Sequence, residues 1–171
     1  EGKNAGVLTQ QYRMEPKICS LISDIGYAGR LKTAKDRITE NLNIPELFSN
    51  SIIIIDTSPI YPYCEKDPFN SKSNITHALI ARNIMRKFAE LENSGNIGFC
   101  APFRAQVKLM KKISEHEKYK ENVSIGTVHT FQGDEKSTII FDTVESRGED
   151  SFIFPAHGQQ DASKSSTLTV A

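Results

Sequence analysis

The sequence predicts an α/β fold built on a mostly parallel sheet with helices on both faces, and three observations carry that reading. Apolar, β-branched runs of strand length recur along the chain, as SIIIID at Ser51–Asp56, IGFCA at Ile97–Ala101, VSIGTV at Val123–Val128 and TIIFDTV at Thr138–Val144. Between several of them lie segments whose apolar residues fall at helical spacing, and such alternation builds βαβ units. Ser51–Asp56 is a continuous apolar run, the pattern of a parallel strand covered on both sides.

The elements follow in order. Pro16 suits the first turn of a helix, Ile18, Leu21, Ile22 and Ile25 share one face, and Gly26 is a natural stop, so Pro16–Ile25 reads as a short amphipathic helix. After the Ser51–Asp56 strand comes Thr57–Asn74, with Pro59, Pro62 and Pro68 among polar residues. It is too long for a simple turn and reads as a functional insertion or a mobile loop. Ile75–Leu91 places Leu79, Ile80, Ile84, Phe88 and Leu91 near one helical face and ends at Asn93–Gly95. The Ile97–Ala101 strand runs into Pro102, which opens a helix at Phe103–Glu117. Beyond Val144 the sequence is irregular and polar apart from Phe152–Phe154, and no internal repeat is present.

Composition sets outer limits. A chain of 171 residues, 38% hydrophobic and 25% charged, is an ordinary soluble domain with one core. Formal net charge is zero, so any nucleic-acid binding must use a local basic patch. No apolar run approaches the roughly 18 residues of a membrane span, and EGKNAG at the start has no signal-peptide core; the expected compartment is the cytoplasm. The 3 cysteines, Cys19, Cys64 and Cys100, have no CxxC spacing and fit neither a disulfide framework nor a zinc site. Cys19 and Cys100 sit in apolar stretches, as core thiols do.

The most informative stretch is Val123–Ser146, where a polar turn holding Thr127, His129, Thr130, Gln132, Gly133, Asp134 and Glu135 separates two strands. In open α/β proteins that is where ligands bind. The string VSIGTVHTFQGDEKSTIIFDTVES closely resembles the superfamily 1 helicase motif that commonly reads TVDSFQGRE. LTQQYRMEPKICSLISDIGYAGRL at Leu8–Leu31 resembles that family's LxxQYRMHPxI element with its trailing FYxGxL, and IGFCAPFRAQVKLMKK at Ile97–Lys112 is similar to its strand-then-PYRAQ element. The three blocks stand in family order across most of the chain. The resemblance is to the group that includes the nonsense-mediated-decay helicases, and it implies that residues 1–171 form the second RecA-like domain of such an enzyme.

The resemblance implies roles residue by residue. Tyr12 stacks on adenine, Arg13 faces the γ-phosphate held by the other RecA-like domain, and Gln11 helps to orient them. Positive charge supplied across a cleft suits phosphoryl transfer, whose transition state spreads negative charge over oxygens. Gln132, Gly133 and Glu135 close the nucleotide site from this side: glycine lets backbone approach and the carboxylate accepts bonds from ribose hydroxyls. Thr127, His129 and Thr130 face a single strand; read from the residues themselves, the start of the Phe103–Glu117 helix, with Arg104 and Gln106, adds phosphate contacts through its free N–H groups and dipole. Three family positions differ, with Glu15 for histidine, His129 for aspartate and Asp134 for arginine. Taken alone, a Tyr-Arg pair is an aromatic beside a surface ion pair, a Gly-Asp-Glu run is an ordinary turn, and a lysine-rich helix face is solvated surface.

No GxxxxGK[ST] phosphate loop occurs; Gly2-Lys3-Asn4 lacks the first glycine and the metal-holding hydroxyl. Leu168–Ala171 looks like the first half of the family's LNVALTRAK motif. The expectation is a piece of a longer helicase, with ATP and Mg²⁺ bound mainly by the N-terminal RecA-like domain of the same parent and with single-stranded DNA or RNA as the polymer. Alone, this piece should not hydrolyse ATP. The alternative is a non-catalytic α/β module that binds nucleic acid or protein.

Overall fold

A computed structural model describes residues 8–38, 42–117 and 122–146. Gly2-Lys3-Asn4, the tail containing Phe152–Phe154 and the Leu168–Ala171 motif half lie outside the described residues. Contacts divide the chain into two compact units, residues 1–41 with 47–54, and residues 42–46 with 55–171.

The first unit is a small βαβ arrangement. Strand β1 (Gln10–Gln11) pairs in parallel with β2 (Lys32–Thr33), and helix α1 (Pro16–Gly26) connects them. The helix starts where expected because Pro16 occupies its first turn and the Glu15 carboxylate accepts the Lys17 N–H at 2.9 Å. Glu15, which replaces the family histidine, is thus an N-cap. At the other end the Ser23 carbonyl accepts the N–H groups of Tyr27 and Gly29, and the Ser23 hydroxyl accepts that of Leu31 at 3.0 Å. The buried stripe is Cys19 and Ser23, while Leu21 and Ile25 of the expected apolar face are exposed.

The expected strand at Ser51–Asp56 is not formed. Ile52, Ile53, Ile54 and Ile55 are all exposed, and among the described residues none of them joins a ladder. A run of isoleucines supplies β propensity but cannot supply a partner strand, and the boundary between the two units falls within it.

The second unit holds a three-stranded parallel sheet in the order β6-β5-β7. Central β5 (Ile97–Cys100) is buried throughout and pairs with β6 (Val123–Gly126) and β7 (Thr138–Phe141). The expected strands at Val123–Val128 and Thr138–Val144 are therefore shorter at their C-terminal ends. Helix α2 (Ile75–Ala89) packs on helix α3 (Arg104–Ile113), which also contacts β6. The α2 start is fixed by the Asn74 side chain, which accepts the His77 N–H at 3.2 Å. Its buried face is Ala78, Ala81, Met85 and Phe88; of the expected set only Phe88 is buried, Ile80, Ile84 and Leu91 are half-buried, and Leu79 is exposed. Helix α3 ends near Ser114, earlier than Glu117. Phe99, Met85, Ile97 and Met110 are the largest fully buried side chains, and each contributes about 1.5–3 kcal/mol of apolar burial.

The Thr57–Asn74 segment is a built connection and not a bare loop. It holds a helical turn at Ser58–Ile60 and a hairpin of β3 (Glu65–Lys66) and β4 (Lys72–Ser73).

Candidate functional site

The first group of expected residues sits on the turn between β1 and α1. Gln11 locks that turn from within. Its Nε2 donates to the Met14 carbonyl at 2.9 Å and the Thr33 hydroxyl at 2.7 Å, and its Oε1 accepts the Met14 N–H at 2.6 Å. The Arg37 guanidinium donates to the Arg13 carbonyl at 3.2 and 3.1 Å from the other side. Tyr12 and Arg13 lie between these two clamps with exposed side chains. Gln11 therefore holds the backbone that presents its neighbours. A concavity of about 580 Å³ between α1 and Gly29–Lys35 is not lined by any of the three.

The second group is organised by the sheet. The parallel register sets Cys100 beside Gly126 and beside Phe141, so the three strands end together. The segments that follow, Ala101–Arg104, Thr127–Phe131 and Asp142–Glu145, leave from one carboxyl edge, the usual position for ligand contacts in such sheets. After Gly126 the chain makes a helical turn at Val128–Phe131. Thr127 and Thr130 brace it: the Thr127 N–H donates to the Thr130 hydroxyl at 3.2 Å, the hydroxyls lie 3.4 Å apart, and the Thr130 N–H returns to the Thr127 carbonyl at 2.9 Å. Gly126 makes this possible, because a Cβ there would stand 2.5 Å from the Thr130 Cβ.

His129, Thr130, Gln132, Gly133 and Glu135 are exposed. Gly133 adopts φ 84°, a left-handed conformation suited to glycine. Asp134 is tied locally, with its Oδ1 accepting the Glu135 N–H at 2.8 Å and its Oδ2 3.0 Å from Lys136 Nζ. From here the chain returns to Thr138, which pairs with Ile97 at the opposite edge of the sheet. Glu135 thus lies on the crossover, while Thr127, His129 and Thr130 stay at the carboxyl edge.

Arg104 is exposed as the first residue of α3. Gln106 departs from the expected surface contact. It is 0% exposed; its Nε2 donates to Asp142 Oδ2 at 2.6 Å and to the Asn74 carbonyl at 3.0 Å, and its Oε1 accepts the Asn74 N–H at 2.7 Å. Two residues along the helix separate surface from interior here, and the residue type alone does not reveal which side a glutamine takes.

Sequence reasoning also missed the hub beneath this edge. Asp142 Oδ1 accepts the Val144 N–H at 2.8 Å and lies 2.9 Å from His77 Nδ1, whose Nε2 is 2.9 Å from the Thr57 hydroxyl. The only sequence signals were an aspartate ending an apolar run and an asparagine opening a helix. Burial pushes the Cys100 thiol up to about 11, in keeping with a core thiol, and also raises Cys64. Among the described residues no group of three or more His, Cys, Asp or Glu side chains converges, and no helix is long and apolar enough to cross a membrane.

Comparison with known proteins extends the picture. Residues 1–160 match the AAA domain family. The chain is 27% identical over 164 residues to the DNA replication ATP-dependent helicase/nuclease DNA2 of Xenopus laevis, covering 81% of this chain and 15% of that protein. It is 26% identical to the putative helicase mov-10-B.1 of Danio rerio, covering 83% and 16%, and 29% identical to the probable helicase senataxin of Mus musculus, covering 78% and 5%. The chain thus spans a sixth or less of the length of these relatives.

Proposed function

Because the chain belongs to the AAA domain family and is a RecA-like, superfamily 1 helicase domain, we propose that it is the second motor domain of an ATP-dependent helicase or translocase acting on single-stranded nucleic acid. The observation that carries the reading is the carboxyl edge of the sheet. The β5–β6 register brings the Arg104 helix start and the Thr127–Thr130 turn to one side. There a guanidinium, two hydroxyls and the His129 imidazole supply donors for phosphate oxygens, contacts that hold a strand without reading its sequence.

The nucleotide role is assigned to the other residues. Tyr12 and Arg13, on a turn clamped by Gln11 and Arg37, suit an adenine stack and a γ-phosphate contact made across a cleft to an N-terminal RecA-like domain of the same parent. Gln132, Gly133 and Glu135, in the second unit, are assigned nucleotide contacts of their own by the same resemblance. ATP brings its own phosphates and metal to such a cleft. The described residues offer no three-ligand set for Mg²⁺, so no step is assigned to the ion here. Without a partner domain this chain should not turn over ATP.

The test is anisotropy of a labelled single-stranded oligonucleotide titrated with the chain at several salt concentrations, alongside an ATPase assay. Expected are binding that weakens steeply with salt, a slope smaller in magnitude by roughly one unit for Arg104→Ala, and similar affinity for contrasting sequences. Absence of binding at low salt refutes the strand reading, and robust ATP turnover abolished by Glu135→Ala refutes the division of labour.

A further inference from the structure

The β3–β4 hairpin carries a feature that the helicase motifs do not explain. Phe69 at its tip is 89% exposed, and Tyr63 and Tyr61 on the same connection are 74% and 71% exposed. A single exposed aromatic is common on protein surfaces. The backbone that carries this one is tied by several hydrogen bonds. Asp67 Oδ1 accepts the N–H groups of Phe69 at 2.9 Å and Ser71 at 2.8 Å. The Asp67 N–H donates to the Ser71 carbonyl, and the Asn70 N–H donates to the Asp67 carbonyl, each at 3.0 Å. Pro68 fixes its own φ, and Asn70 takes the left-handed φ of 59° that asparagine tolerates. The tip is therefore an ordered turn that leaves a flat apolar ring in water.

Its placement gives that ring a use. Helix α3 has Phe103 at its N-cap, which can supply no side-chain acceptor, and the Ser71 hydroxyl fills the gap by accepting the Ala105 N–H at 2.9 Å. The next residue, Lys72, sets its ammonium 5.6 Å from the centre of the Phe103 ring and 2.8 Å from Glu145. The hairpin is thereby fastened to the start of the helix that carries Arg104. It belongs to the edge from which Thr127 and Thr130 also emerge.

We propose that Phe69 is a base-stacking residue, a flat platform on which one nucleobase of a single strand rests while Arg104 and the Thr127–Thr130 turn hold its phosphates. The inference rests on the strand-binding reading above and adds to it a contact with a base. The chemistry fits the chain as a whole. With net charge zero, little affinity can come from a global field, whereas stacking needs only a π-face and tolerates every base. The acidic group nearest in sequence, Asp67, is occupied in holding the turn.

The chain contains no tryptophan, so Phe69→Trp creates a unique fluorescent reporter at the tip. It is titrated with oligodeoxythymidylate and with an abasic deoxyribose-phosphate strand of equal length, and Phe69→Ala is measured on both by anisotropy. Expected are quenching of the Phe69→Trp emission by the base-bearing strand only, and affinity for that strand lowered about tenfold in Phe69→Ala, with the abasic strand bound as well as by the unmodified chain. Arg104→Ala should weaken both strands alike. Full affinity of Phe69→Ala for the base-bearing strand, or emission that saturated binding does not quench, overturns the stacking role and leaves the strand reading intact. Failure of the unmodified chain to bind either strand overturns both.

Discussion

Replacing Gln106 by alanine separates a structural amide from a ligand-binding one. The substitution removes two hydrogen bonds to the Asn74 backbone and one to the Asp142 carboxylate, all within a fully buried site. Neutral bonds contribute ~1 kcal/mol each and one to a charged group ~2 kcal/mol, so the loss should approach ~4 kcal/mol. Asp142 keeps His77 and the Val144 N–H through its other oxygen, which limits the damage to one side of the hub. Set against total stabilities of about 5–15 kcal/mol, that is a large fraction. Amide hydrogen exchange at Phe99 and Cys100, in the buried central strand, reads it directly. Protection there should fall roughly 10³-fold, while the fraction that remains folded binds oligonucleotide with ordinary affinity. A drop below about tenfold in protection, accompanied by weakened strand binding, would refute the reasoning and return Gln106 to the surface role that its position in the motif implies.

Gly126→Ala should destabilise the chain by about 1–3 kcal/mol and weaken oligonucleotide binding, because its methyl group meets Thr130 at 2.5 Å; Gly26→Ala, with nothing within 4 Å, is the control in thermal melts. In a longer chain carrying the partner RecA-like domain, Arg13→Ala should lower turnover about 10³-fold or more and leave nucleotide-free strand binding near normal; unchanged turnover would make Arg13 structural. Burial raises the Cys100 thiol from 9.0 to about 11, so its stabilising contribution is complete below pH 9.0 and is lost as pH rises through about 11. A Cys100→Ala variant should show a flatter stability profile across that alkaline range, and an identical profile would count against the assignment.

What could be read from the sequence depended on whether the deciding signal was local. Helix α1 was legible because Pro16 and Gly26 mark its ends within the segment itself, and β5 because four consecutive apolar residues between Gly95 and Pro102 leave few alternatives. The Thr127–Glu135 turn was legible as a unit, since its residues brace one another at short range. The isoleucines at 52–55 were misread because strand formation needs a neighbour that no local pattern can supply. The buried side of α2 was partly misplaced: Phe88 is buried as expected, but Ala78, Ala81 and Met85 take the other buried positions and Leu79 is exposed. Gln106 failed for a related reason, as its partners lie 32 and 36 residues away.

Asp142 has consequences for the order in which the second unit is assembled. Its carboxylate reaches across 65 residues to His77 and 36 to Gln106, and it directly follows β7, the last strand of the described sheet. A nascent chain leaving the ribosome amino end first can coil α2 and α3 early, but the polar groups at their starts wait for β7. Ring closure over such spans is slow, and it is rewarded only when the final strand docks. Maturation of the unit should therefore be abrupt, with chains truncated before Thr138 remaining protease-sensitive and longer ones becoming resistant in a single step.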